Sequence, residues 1–161
     1  MREDNIEIFE DTERLCKTNA ALISTIKESS AAQKLFLEGN DIGETTASQK
    51  NRFDQDAKIV MSKKRTFEAA YGYKDTGMAV AVLNFASASN PGGGVVNGSS
   101  AQEECLCRCS TLYFNLNENS NWDNFYTPHR RDGNPLHNDD IIYTPGVVVF
   151  KSDTAYPKLL A

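Results

Sequence analysis

Two adjacent glutamates, Glu103 and Glu104, close a Gln102-Glu103-Glu104 triplet that follows three consecutive glycines, Gly92, Gly93 and Gly94, after a spacer of seven residues. A carboxyl group with a raised pKa can protonate a departing oxygen, and its carboxylate can then take a proton from water. A glycine triplet packs nothing and costs chain entropy. A folded chain keeps one where the backbone must adopt positive φ or approach another group closely, and phosphate oxygens are a common such group. The triplet follows the apolar run 78–85, long enough for a buried strand, and precedes an expected helix over 101–116. Strand, glycine loop and helix N-terminus together form an anion site, because unpaired N–H groups and the helix dipole both favour negative charge. On the glycines alone, a plain turn with exposed acids on the next helix remains open.

The elements that must carry these residues follow from periodicity. Residues 4–16 and 20–30 place Ile6, Phe9, Ala21, Leu22 and Ile26 at helical spacing, with Asn19 as a cap between two helices. Residues 38–56 are polar and hold Gly39 and Gly43, which reads as a linker. A short strand is expected at 58–62, then a helix at 63–73 capped by Ser62 and ended before Gly77. The resulting order is β, α, β, glycine loop, α, the alternation of an α/β layered domain. Residues 115–140, rich in Asn and holding Trp122, Phe125, Tyr126 and both histidines, lack clear periodicity. A loop of that length is mobile or functional, and its aromatic side chains serve as core anchors or as a groove lining. The last expected strand is 147–150.

The chain has 161 residues, enough for one domain and its core. With 17 Lys and Arg against 22 Asp and Glu, its formal charge is −5, so no basic field draws it to DNA and any anionic ligand must be recognised locally. No apolar run approaches a membrane span, and the acidic, polar opening is unlike a signal peptide, so a cytoplasmic protein is expected. Cys16, Cys105, Cys107 and Cys109 do not offer four convergent zinc ligands, and they read as small buried residues in a reducing compartment. His129 and His137 read as structural or surface residues, since a Cys–His nucleophile needs an adjacency that spacing does not give. No Gly-Lys-Ser/Thr follows the triplet, which removes a P-loop. Asn90, with Asn84 as runner-up, lies near the carboxyl end of the expected strand, where ligands sit in α/β folds, and is the candidate ligand contact.

The segment from Leu83 through Asn90-Pro91-Gly92-Gly93-Gly94 to Gln102-Glu103-Glu104 resembles the glycine-triplet and QEE motif of poly(ADP-ribose) glycohydrolases of the microbial type. The resemblance continues through Ser110-Thr111-Leu112-Tyr113 and from Asp140 to Lys151, and is looser before Lys58. It implies a macrodomain-like mixed sheet flanked by helices, with an N-terminal helical extension and linker over 1–57 and the catalytic portion over 58–161. The family's domain extends past the equivalent of Ala161, so an N-terminal portion of it is expected, incomplete at the C-terminus.

The implied reaction is hydrolysis of the ribose–ribose bond of poly(ADP-ribose), free or on ADP-ribosylated protein, with release of ADP-ribose and with neither metal nor cofactor. Glu104 is the implied acid/base, and Glu103 the residue that holds the ribose hydroxyls. One position apart on a helix, the two carboxylates diverge by about 100° and are expected to differ in role. Gly92, Gly93 and Gly94 with Val95 and Val96 are expected to wrap the diphosphate through backbone N–H groups, and Gln102 to orient the acids. The alternatives are an ADP-ribose-binding module and a catalytically incomplete fragment.

Overall fold

The computed structural model describes residues 2–40 and 55–160. Two N-terminal helices, α1 (Arg2–Thr18) and α2 (Ala20–Ala32), form as the periodicity predicts. Phe9, Thr12 and Cys16 line the buried face of α1 at helical spacing. Asn19 caps α2, its side chain accepting from the N–H groups of Ala21 at 3.0 Å and Leu22 at 3.2 Å. Most of the expected linker, residues 41–54, lies outside the described residues.

The architecture is α/β, but its strands are not those expected. Among the described residues one ladder forms, pairing β1 (Lys34–Phe36) antiparallel with β2 (Ile141–Tyr143), two segments whose three residues each are too short to show a period. The segments 58–62, 78–85 and 147–150 form no strand of a ladder among the described residues. Met78 is 63% and Phe85 72% exposed, so an apolar run of strand length does not make a buried strand without neighbours to complete its hydrogen bonds. Residues 147–150 instead meet the end of α4 (Gln102–Cys109) through a single bridge, Ser110 to Val149.

The expected helix at 101–116 is two helices, α4 and α5 (Leu112–Leu116). Ser110 divides them: its hydroxyl donates to Leu106 O at 2.8 Å and accepts from Leu112 N at 3.2 Å, with its backbone extended between. Helix α3 (Thr66–Tyr71) starts after Arg65, later than expected, and Ser62 is not its cap. Its first turn is capped from a distance, Phe67 N donating to the buried carboxylate of Asp153 at 3.1 Å.

The Asn-rich stretch is also largely helical rather than a loop. It runs through α6 (Asn119–Asn121), a π-helical turn (Trp122–Tyr126) and α7 (Thr127–Asp132). Its asparagines act as bolts. Asn115 Nδ2 donates to Ile26 O at 3.1 Å and Ser30 Oγ at 2.9 Å, while Asn121 Nδ2 reaches Gln33 Oε1, Asn115 O and Leu116 O. Phe125 and Tyr126 are buried, as core anchors.

The core gathers Phe9, Phe67, Val95, Leu106, Cys107, Cys109, Leu112 and Leu116 around α4. Lys151 secures α1 to this centre. Almost fully buried, its Nζ reaches Asp11 Oδ2 at 2.8 Å, Thr12 Oγ1 at 2.8 Å and Ile8 O at 3.3 Å. The hydrogen bond from Lys151 is the main reason that Asp11 is held below the ordinary carboxylate range.

Replacing Lys151 by Met should cost about 1–3 kcal/mol in urea unfolding, since one end of the pair is buried and the other half-exposed. The Asp11 contribution is present above the unfolded-state value near 3.8 and is lost as pH falls through the lower folded value. Asp11→Asn should therefore flatten the acid limb of the stability profile, while an unchanged limb would remove this pair as its cause.

Candidate functional site

The site is built at the head of α4. Ala101 is extended and offers no side-chain cap, so Gln102, Glu103 and Glu104 occupy a first turn whose N–H groups favour anions. The helix is buried nearly all round, and so are both acids: Glu103 is 3% and Glu104 7% exposed. Two buried carboxylates are costly unless donors meet them, and most of the donors come from the chain just before the helix.

The glycine turn supplies the closest of these. Gly92 and Gly93 have φ of 68° and 59°, in the left-handed region. A Cβ on Gly93 would lie 2.6 Å from Glu104 Oε1 and 3.2 Å from Glu103 Oε2. The two carboxylates therefore converge on one glycine, where their helical positions alone had suggested divergence. At Gly94 the backbone is in an ordinary region, and glycine is required there because a Cβ would sit 2.3 Å from Ser99 Oγ.

Gly94 N donates to Glu104 Oε1 at 2.9 Å, Gly93 N to Asn90 O at 3.0 Å and Val95 N to Gly92 O at 3.1 Å. In this conformation those three N–H groups thus serve the turn and the acid. Val95 is fully buried in the core, and Val96 is exposed beside it.

Glu103 is held by Ser87 N at 2.8 Å on Oε2 and by Asn84 Nδ2 at 3.2 Å on Oε1. Burial is the largest influence and pushes its carboxyl up. Ser87, Asn84 and Gly92 oppose that shift, and the neighbouring Glu104 reinforces it. Glu104 differs in one respect: Oε1 takes the Gly94 N–H, whereas Oε2 is buried with no hydrogen-bond partner among the described residues. A carboxyl aimed through one oxygen, with the other unengaged, can carry a proton on the second and deliver it.

Gln102, expected to orient the acids, turns away from them. Its amide accepts from Phe85 N at 2.9 Å and donates to Leu83 O at 2.8 Å and Thr66 Oγ1 at 3.3 Å, which pins residues 83–85 across the start of α4. Asn84 is drawn to Glu103 by this pinning. Asn90 is exposed on the shoulder of the turn, its Oδ1 accepting from Arg130 Nη2.

Ser87 and Arg130 escaped the sequence reading. Ser87 acts through its backbone N–H, and Arg130 lies 40 residues from Asn90, so neither leaves a spacing signal.

His129 is buried between Phe125 O at 2.7 Å and Asn138 Oδ1 at 2.8 Å, a structural setting. Burial would lower its pKa, but those two acceptors and Asp140 outweigh it and hold the imidazole above its ordinary value. Cys107 and Cys109 are buried thiols; desolvation drives Cys107 well above the ordinary range and Cys109 to about 12, which makes both poor nucleophiles. Among the described residues no three His, Cys, Asp or Glu side chains are grouped to hold a metal ion.

With this geometry, comparison with known proteins gives a consistent picture. The family model described as the microbial-type PARG (poly(ADP-ribose) glycohydrolase) catalytic domain matches residues 3–152. Among solved structures, the poly(ADP-ribose) glycohydrolase of Thermomonospora curvata superposes with a TM-score of 0.76 at 28% identity, over 98% of this chain and 62% of that one. The same enzyme bound to the inhibitor ADP-HPD gives 0.73 at 30% identity, over 94% of this chain and 56% of that one. The Deinococcus radiodurans glycohydrolase in complex with ADP-ribose gives 0.70 at 34% identity, over 84% and 52%. The chain thus spans between about half and three-fifths of these relatives' length. No curated protein sequence matches it.

Gly93→Ala tests the turn. The added methyl meets Glu104 at a left-handed position and should cost about 1–3 kcal/mol in chemical unfolding. Gly133→Ala is the control, with a φ of 62° and nothing within 4 Å, and should cost only the backbone part, about 1 kcal/mol. Equal losses at the two positions would mean that Gly93 is not in close contact with the acids.

Proposed function

Because the chain belongs to the family of microbial-type poly(ADP-ribose) glycohydrolase catalytic domains, we propose that it hydrolyses the ribose–ribose O-glycosidic bond of poly(ADP-ribose), free or on protein, and releases ADP-ribose. The observation that carries this reading is the Glu104 carboxyl, fixed at Oε1 by Gly94 and buried at Oε2 with no partner among the described residues. Glu104, protonated on Oε2, gives its proton to the departing ribose oxygen as the bond breaks through an oxocarbenium-like transition state. The carboxylate then takes a proton from the water that attacks the anomeric carbon, which restores the acid.

Glu103, anchored by Ser87 and Asn84, presents its carboxylate to the ribose hydroxyls. Asn90 contacts ribose from the shoulder of the turn. The glycines keep Glu104 aimed and let the sugar approach the backbone closely. Contact of the turn with the diphosphate falls to its exposed flank at Val96, since the N–H groups of Gly93, Gly94 and Val95 are already donating.

No helix among the described residues is long and apolar enough to cross a membrane, and all four cysteines are free. The free cysteines support a reducing, cytoplasmic setting as part of the reading.

One feature favours a second reading, an ADP-ribose-binding module or catalytically incomplete portion. An apolar cavity of about 1310 Å³ opens between residues 78–88 and 141–149, bounded by Leu106, Phe125 and Tyr126, and it reaches Asn84. Its walls include residues 78–85, which join no ladder among the described residues. A site whose supporting sheet is this open can hold ligand without completing the reaction.

The test is to follow free ADP-ribose released from poly(ADP-ribosyl)ated protein, with ADP-ribose affinity measured in parallel. Glu104→Gln should reduce release by about 100-fold or more while changing affinity no more than about three-fold. Binding without release by the unaltered chain would select the second reading. Release that persists in the variant would remove Glu104 from the chemistry.

A further inference from the structure

The π-helical turn at Trp122–Tyr126 and the helix that follows it are not used by the chemistry above, yet they make one direct link to the site. Arg130, on α7, lays its guanidinium over the Trp122 ring at 4.6 Å from the centroid. From that position its Nε donates to Ser89 O at 2.7 Å, and its Nη2 donates to Asn90 Oδ1. Trp122 is itself fixed, its Nε1 donating to Asn117 Oδ1 at 2.8 Å.

A planar fork held on an aromatic face has lost little freedom before it bonds, so it can hold two adjacent acceptors in one geometry. The two acceptors are the residues immediately before Pro91 and the glycine turn. Ser87, which holds Glu103, lies just ahead of them, and Gly94, which holds Glu104, lies just beyond. Within 87–90 the local bonds are longer: the Ser87 hydroxyl accepts from Ser89 N at 3.3 Å and Asn90 N at 3.1 Å, and Asn90 Nδ2 donates to Ser89 Oγ at 3.2 Å.

We propose that Arg130, clamped on Trp122, is a positioning residue of this site: it sets the 87–94 turn that aims both carboxylates and presents Asn90 to the sugar. The part that concerns Asn90 and the sugar rests on the glycohydrolase reading. The part that concerns the turn does not.

Amide hydrogen exchange on the whole chain without ligand tests the turn directly, and ADP-ribose titration then tests the sugar contact. Trp122 is the single tryptophan, so its emission reports separately whether the stack has been lost. Arg130→Met should shift that emission and speed exchange at Ser87, Gly93 and Gly94 by at least ten-fold, with the amides of α1 unchanged. Arg130→Lys, which keeps charge but not the fork, should fall between. ADP-ribose affinity should weaken in the same order.

Protection at Ser87, Gly93 and Gly94 within two-fold of the unaltered chain, despite a shifted Trp122 emission, would overturn the proposal. So would equal acceleration in α1, which would mark a general loss of stability. Faster exchange in the turn from a chain that binds no ADP-ribose would support the positioning role and count against the glycohydrolase reading instead.

Discussion

Two carboxylates buried side by side at the head of one helix are the constraint from which much of this molecule follows. Each costs several kcal/mol to desolvate, and their mutual repulsion adds to that cost. The chain meets it with donors that converge from residues 84–94: the Asn84 amide, the Ser87 N–H and the N–H groups of Gly92 and Gly94. Those donors can reach the acids only if the backbone passes directly over them, which is why Gly93 has no room for a Cβ. Gln102 completes the arrangement by tying residues 83–85 to the same turn of helix.

Such a site needs a rigid floor, and α4 provides it by being buried on nearly every side. Phe9 and Thr12 of α1 cover one side, and Thr12 Oγ1 donates to Arg108 O at 2.6 Å. Arg108, itself buried, turns back to Ser99 O at 2.6 Å and so fixes the link between glycine turn and helix. Asp11 and Thr12 hold Lys151, which carries the segment packed on the end of α4. The N-terminal helices are therefore part of the support of the α4 head. Along the apolar cavity Met78, Val80 and Leu83 have no covering layer among the described residues.

What the sequence revealed and what it concealed divide along physical lines. Helices α1 and α2 were legible because a 3.6-residue period and a capping Asn19 are local facts. The strands were not, since an apolar run states only that a segment can be buried, while a ladder depends on neighbours far along the chain. The Asn-rich stretch misled because asparagine is usually a turn former; here Asn115 and Asn121 spend their amides on the carbonyls of helices packed against them. In the site, the acids and glycines announced themselves by type. The convergence of Glu103 and Glu104, and the clamp from Arg130, arise from tertiary contacts that leave no trace in spacing.

The account turns on both acids being buried under the glycine turn with their donors, and a pH titration of the glutamate side-chain carboxyl carbons by NMR tests it most directly. The Glu103 carboxyl, assigned through Glu103→Gln, should titrate above the ordinary value of 4.5, because burial outweighs the donors that meet it. A Glu103 that titrates at or below that value would mean that the carboxylate is solvated, and that the glycine turn does not enclose the pair.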